Sequence, residues 1–410
     1  MLNRSSSAIL LLALALASGS AFAAPDALDW PGFRGPKGDG RSSETGLLTN
    51  WPDSGPKVLW KMPLGGGFSG LTAVDGKLYT LFSRGGRELV ASLDAATGKQ
   101  LWTADLDEER RDRFGNGPRS TPLVYDGMVY AVSALGQLRA LAAVDGSTVW
   151  EHNLRKAFGA RVPEWGVSAA PIIEGDLLLF NVGGKAGHAI MAFDRKTGEV
   201  AWKSETDIPG YALPVSFTVG GVYQTVFFTG SNVISVDPKT GKTLWKRPWK
   251  TAYDVNAASP IFIAPDKLFV SSGYDTGSTL YRLSANQGKV AVEEVWQTRG
   301  MKNQFSSSVY HDGHLYGFDN KNLKCIDATT GEDRWRKGGL GHGSLIYADG
   351  HLLILSESGE LVLAEATPKA YTEKAAFEVA NAKSWTVPTL YAGKLYIRNE
   401  QDLFSIDLKP

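Results

Sequence analysis

Apolar and polar residues alternate along most of the chain in short runs broken by turn signals. One unit recurs: an apolar run, a turn that usually ends in Gly, then a second alternating run, as in Val74-Asp75-Gly76-Lys77-Leu78-Tyr79. Copies stand at 74–79, 125–130, 173–178, 219–223, 264–269, 311–316, 348–353 and 391–396. Asp-Gly between alternating runs predicts a tight hairpin, because Gly accepts the positive φ that the turn needs. A second phrase follows: Asp94-Ala95-Ala96-Thr97-Gly98-Lys99-Gln100-Leu101-Trp102, repeated at 194–202, 237–245 and 327–335, with looser copies ending at Trp150 and Trp296. Self-similarity at a period of roughly 40 to 50 residues marks a propeller or a solenoid.

Each repeat reads as four strands. Strand A precedes the hairpin turn, B follows it, C ends at the Asp of the second phrase, and D carries the Trp. In the C–D turn the Asp carboxylate folds onto backbone N–H groups and Gly takes the left-handed position. Four-stranded units repeated radially form a β-propeller. The chain ends point the same way. Val58-Leu59-Trp60-Lys61 reads as a strand D with no A–C before it, and the last repeat has A–C and then stops. The expectation is an all-β, eight-bladed propeller of antiparallel blades, closed by the N-terminal strand; an open solenoid lacks this complementation. Trp60, Trp102, Trp150, Trp202, Trp245, Trp296 and Trp335 are then architectural, and Phe377 is expected in the Trp position of the seventh blade.

Residues 57–410 form the predicted propeller. Residues 24–56 are rich in Gly and Pro and predict irregular structure packed on the ring, pinned by Trp30, Phe33 and Trp51; a lid over the channel is the alternative. Residues 1–23 read as a cleaved signal peptide: Arg4, an apolar run over 8–17, and Ala21-Phe22-Ala23 before the cut. The run is too short to span a bilayer. The expected location is periplasmic or extracellular, with no lipid-bearing Cys after the apolar run.

Composition narrows the chemistry. The 43 basic and 43 acidic residues balance to a net charge of zero, so no basic footprint for nucleic acid is present. The single cysteine, Cys325, lies in a strand pattern and reads as a buried core residue. No zinc-ligand spacing, nucleophile elbow or phosphate-binding loop occurs, and no metal site is expected from spacing. The run at 105–113 (DLDEERRDR) reads as a solvated loop or short helix with internal ion pairs, with partner docking as the alternative.

The phrase Asp-x-x-Thr-Gly-Lys-x-x-Trp resembles the tryptophan-docking motif of PQQ (pyrroloquinoline quinone) repeat propellers, shared by quinoprotein alcohol dehydrogenases and the BamB family of outer-membrane assembly factors. The opening Trp30-Pro31-Gly32-Phe33-Arg34-Gly35-Pro36 is similar to the start of secreted PQQ-binding-like repeat proteins. The likeness covers about 29–410. It implies the fold more sharply than an activity. The dehydrogenases carry a vicinal disulfide and hold Ca²⁺ with Glu, Asn and Asp; this chain cannot form the disulfide, and those ligands have no assigned positions here.

Propeller function sits at the channel mouths, where lead-ins to the innermost strands converge. Residues just before each strand A therefore form the candidate ligand-binding rim: Arg119, Trp165, Tyr211, Asn256, Lys302, Asn303, His342 and Trp385. Aromatic faces would sandwich a planar ligand and cations would pair its carboxylates. The alternative is a wet channel mouth whose polar groups satisfy backbone. The leading functional expectation is a non-catalytic ligand-binding or protein-assembly scaffold, its partner another envelope protein or a small molecule. The alternative is a PQQ- and Ca²⁺-dependent alcohol or sugar dehydrogenase with a simplified site, in which Asp254 or Glu164 would be the base.

Overall fold

The computed structural model describes residues 28–410. The signal expected at 1–23, and residues 24–27, lie outside them. Eight four-stranded antiparallel sheets follow one another, each with its strands paired in A–B–C–D order. In the first blade these are Thr72–Val74, Lys77–Arg84, Arg87–Asp94 and Gln100–Glu108. The eighth sheet is split: Thr389–Tyr391, Lys394–Arg398 and Asp402–Asp407 come from the C-terminus, and Val58–Pro63 from the N-terminus supplies strand D. Ring closure therefore rests on β-pairing between the two ends, from Val58↔Ile406 to Pro63↔Asp402. No helix among the described residues is long and apolar enough to cross a membrane.

The hairpin turns take the conformation their sequence demands. Asp75 and Gly76, Asp126 and Gly127, and Asp349 and Gly350 all have positive φ. The second phrase docks each blade onto the next. Asp94 Oδ1 accepts from the backbone N–H and hydroxyl of Thr97, shaping the C–D turn. The indole of Trp60 lies over Gly98 of that turn, where a Cβ would meet the ring at 2.9 Å, and its N–H donates to the Ala95 carbonyl. Trp102 repeats this with Gly146 and the Ala143 carbonyl, Trp150 with Gly198 and Arg195, Trp202 with Gly241 and Pro238, and Trp296 with Gly331 and Ala328.

Two joints differ. The C–D hairpin of the fifth blade is drawn out into Gly277–Asn286 and Lys289–Thr298, which carries Gly288 away from any neighbour; Trp245 donates instead to Gln224 Oε1 at 2.7 Å. In the seventh blade the expected Phe377 is not in the Trp position. The other blades place Trp opposite the C-strand residue just before a bulge, as in Cys325↔Trp335; the matching pair here is Leu363↔Ala375. Phe377 lies one pleat further along, and Gly55 of the N-terminal segment covers its ring.

That segment does not run along the outside of the ring. Trp30 pairs with Ala73 in the first strand A, and the Pro31 carbonyl accepts from Val124 in the second. Gly38 abuts Leu213 ahead of the fourth blade, and Gly40 and Arg41 meet Tyr347 in the seventh. Contacts with innermost strands from opposite sides place 30–41 inside the channel. Arg34 is 2% exposed, and its guanidinium donates to the carbonyls of Gly38, Asp39, Ser307 and Ser308. The chain then leaves over the A–B turns of the last two blades, where Leu47 donates to Asp349 and Glu44 accepts from Gly393.

Trp202→Ala removes a buried indole and its hydrogen bond together; a loss of about 3–5 kcal/mol is expected in chemical denaturation. Deleting 57–64 removes the strand that completes the eighth blade and should abolish the cooperative thermal transition. A deletion variant melting like the full chain would refute closure by pairing.

Candidate functional site

Antiparallel pairing sets which loops share a face. Strand A runs towards the A–B turn, so the A–B and C–D turns occupy one face and the B–C and D–A loops the other. At that second face the channel opens into a cavity of about 540 Å³. Its floor is Phe33 and Arg34 of the inserted segment, so the cavity is blind rather than a through-channel.

The walls are aromatic. Trp385 lies 5.3 Å from Phe68, 5.1 Å from Phe305 and 6.4 Å from Phe114, ring centre to ring centre. Across the mouth Trp165 stands 6.4 Å from Tyr211, and the mostly exposed Tyr253 continues this wall outward, edge-on to Trp165 and Tyr274. Cations are set among the rings. The Lys383 ammonium sits 4.7 Å above Trp385, and the Arg119 guanidinium 5.4 Å above Phe68, which places both in cation–π range. Arg113 and, at the floor, Arg34 complete the positive lining, while Asp and Glu are absent from it.

Groups behind the wall hold these side chains. Arg119 donates to the Gly117 and Gly115 carbonyls and pairs with Asp112 at 3.5 Å; burial lowers its pKa against the pull of Asp112. Glu357 accepts from the Trp385 indole N–H at 2.9 Å and from the His342 backbone N–H at 3.1 Å. Burial raises the Glu357 pKa, but these donors and His342 outweigh it and hold the carboxyl below its ordinary value. Burial depresses His342, so it lines the cavity as a neutral ring at neutral pH. Glu88 anchors the loop bearing Arg113 and Phe114: it accepts from the Arg110 and Ala134 backbone N–H groups. Burial raises it to about 7 in spite of those donors.

Of the expected rim, Arg119, Trp165, Tyr211, His342 and Trp385 line the cavity. Asn256, Asn303 and Lys302 do not. Asn256 is fully buried, donating to the Thr229 carbonyl and accepting from Ser272; Asn303 donates to the Phe318 carbonyl and accepts from Ser308. Both tie loop backbone to strands. Lys302 points away to Asp275 and Asp319. Glu164 and Asp254 are exposed and outside the lining, so neither carboxylate is placed as a base within this cavity. The charged run divides: Asp105 belongs to a strand and pairs with Arg87, while Arg113 at its end and the adjoining Phe114 reach the mouth. Sequence reading missed Arg113, Phe114, Tyr274, Lys383, Phe33 and Arg34. Topology carried the signal for Tyr274, since B–C loops share the face of the D–A loops.

A quinone with bound Ca²⁺ can be tested against this lining. Rings and cations suit a planar anion. No lining carboxylate is present to hold the metal or take a proton, and no cluster of three His, Cys, Asp or Glu suited to a metal occurs among the described residues. Cys325 is buried in strand C of the sixth blade, its thiol pushed up to about 12 by burial. The lining does not fit the dehydrogenase chemistry.

The profile of the family described as "Outer membrane protein assembly factor BamB" matches residues 52–206 and 155–337, more than half the chain. A protein of that name from Burkholderia pseudomallei is 27% identical over 236 residues, covering 55% of this chain and 57% of the relative. A 1-butanol dehydrogenase (quinone) from Thauera butanivorans is 30% identical over 161 residues, 36% of this chain but 25% of the relative. The chain thus spans little more than half of one relative and a quarter of the other. Among solved structures, BamB from Moraxella catarrhalis superposes with a TM-score of 0.60 at 15% identity, over 86% of this chain and 98% of that one. Quinohemoprotein alcohol dehydrogenase from Comamonas testosteroni gives 0.63 at 13% identity, over 93% and 81%. These two likenesses establish the shared fold.

Glu88 yields a pH prediction. Its folded pKa lies above the unfolded value of 4.5, so the folded state keeps a proton that the unfolded state releases. Stability from this group is greatest at low pH, falls as pH rises from about 4.5 to about 7, and is level above that. Urea denaturation at about pH 5 and about pH 8 should show a fall larger by about 2–3 kcal/mol in the native chain than in Glu88→Gln. Equal falls would mean that Glu88 does not titrate as its burial implies.

Proposed function

The chain belongs to the family of outer membrane protein assembly factor BamB, and from this membership together with its channel mouth we propose that it is a non-catalytic scaffold of the bacterial envelope. The mouth engages the aromatic and acidic side chains of a partner polypeptide. The observation that carries this reading is the cavity lining: aromatic rings and four cations, Arg34, Arg113, Arg119 and Lys383, with no carboxylate among them. Such a surface stacks on aromatic residues and pairs with carboxylates, but offers no group to abstract a substrate proton. The blind floor supports it as well, because Phe33 and Arg34 stop a ligand from passing deeper. The leader read at 1–23 supports action on the periplasmic or extracellular side.

Two measurements test it. With added PQQ and Ca²⁺, dye reduction with alcohols or aldose sugars is expected to stay at background; turnover would overturn the non-catalytic reading. A short peptide alternating Asp and Phe should change tryptophan fluorescence saturably at micromolar concentration. Lys383→Ala and Trp165→Ala should each weaken this by about tenfold, the loss of about one good contact. No saturable change, or unchanged affinity in both variants, would remove the mouth as the binding surface.

A further inference from the structure

The same face carries a second concavity, between the loop leaving the second blade and the B–C loop of the third. The strand Thr148–Asn153 runs into one helical turn, Leu154–Phe158. Asn153 Oδ1 caps it by accepting from the Lys156 N–H, and Gly159 ends it in the left-handed conformation. Gly159 also lies against a second loop: a Cβ there would be in ordinary contact with the Lys185 side chain, at 3.6 Å. The two loops are tied by the Arg161 N–H donating to the Gly183 carbonyl at 3.3 Å. They thereby bring Arg155, Lys156 and Arg161 from one side, and Lys185 from the other, around a hollow of about 440 Å³. Asn153, Gly159 and Ala160 make up the rest of its wall.

All four cations are exposed, and none has a carboxylate within ion-pair distance among the described residues. This sets the hollow apart from the channel mouth, where Arg119 and Lys383 each have one carboxylate at ion-pair distance, Asp112 and Glu400. The chain as a whole is neutral. Four like charges held on one concave wall repel each other, and an anion seated between them relieves that repulsion. Guanidinium forks match the spacing of phosphate oxygens, and lysines add point charges from the rim. A single carboxylate would occupy one fork and leave the other cations facing each other; a phosphate group presents more oxygens and up to two negative charges.

We propose that this hollow is a binding site for a phosphate ester, with Arg155, Lys156, Arg161 and Lys185 as its ligands. It is separate from the channel mouth and does not depend on the function proposed for that mouth. The phosphate belongs either to a soluble phosphorylated compound or to a phospholipid headgroup, and the experiment separates these sources.

The native chain is titrated with inorganic pyrophosphate and glycerol 3-phosphate by calorimetry. It is also sedimented with vesicles of phosphatidylglycerol and phosphatidylcholine, and with vesicles of phosphatidylcholine alone. A variant carrying Arg155→Gln, Lys156→Gln, Arg161→Gln and Lys185→Gln is compared with a control carrying Lys99→Gln, Lys196→Gln, Lys239→Gln and Lys242→Gln. The control positions lie at C–D turns on the opposite face and remove the same charge. All the substitutions are at exposed positions, and equal thermal midpoints verify that each chain is folded. The expected result is saturable binding, in solution or to phosphatidylglycerol vesicles, that weakens at least about tenfold in the hollow variant, is retained by the control, and declines with added salt. Binding in solution assigns a soluble ester, and binding to the charged vesicles alone assigns a headgroup. Absence of binding in both arms, or equal loss in the control, overturns the site.

Discussion

One hydrogen bond, repeated around the ring, governs the architecture: a tryptophan indole N–H donating to a carbonyl in the neighbouring blade's C–D turn. Apolar packing between sheets is non-directional and would tolerate slippage. The indole removes that freedom. Its N–H addresses one carbonyl, at Ala95, Ala143, Arg195, Pro238 or Ala328, and its ring lies flat where the turn has Gly. Donor and acceptor both belong to the same nine-residue phrase, so a single repeat encodes both halves of the joint.

Docking sets blade against blade, but a ring must also close. Closure uses a second device, the buried guanidinium. Arg398, in strand B of the last blade, donates to the carbonyls of Leu81, Ser69 and Gly67 across the seam. Arg34 makes the equivalent set inside the channel. Burial without a contacting carboxylate lowers them to about 9 and about 10, so both remain cations at neutral pH. Each converts several buried carbonyls from orphans into acceptors. The N-terminal segment is thereby committed twice, as the plug of the channel and, through Val58–Pro63, as the last strand.

The repeated parts of the fold were legible in the sequence because their causes are local. A hairpin turn or a C–D turn is specified within a few residues, and the count to eight follows from reading each copy. Phe377 shows where such reading fails: its spacing suggested a docking residue, yet a bulge opposite Ala375 sets the register, and the bulge depends on pairing with the preceding strand. The site was legible in part for a related reason. Lead-ins to strand A converge in any propeller, which located Arg119, Trp165, Tyr211, His342 and Trp385. Whether a lead-in side chain faces the cavity or turns back is decided by non-local partners: Thr229 and Ser272 for Asn256, Phe318 and Ser308 for Asn303. Phe33 and Arg34 were hidden for the same reason, since nothing in an irregular Gly/Pro-rich stretch states that it will enter the channel.

The division of the molecule into two faces follows from the docking joint itself. The C–D turns must present a carbonyl and usually a glycine to the neighbouring indole, so they cannot vary without loosening a joint. Seven of the eight A–B turns on that face are held to two residues with positive φ at one or both, the fifth blade's 264–266 being the exception. The B–C and D–A loops carry neither duty. They vary in length, fold back over the ring and collect unrepeated side chains: the aromatic mouth with Lys383 and Arg119, and the hollow framed by Arg155 and Lys185. Chemistry accumulates on that face because the joint leaves it free. The plug sharpens the asymmetry, since Phe33 and Arg34 close the channel beneath the mouth and keep any ligand on the face where the copies differ.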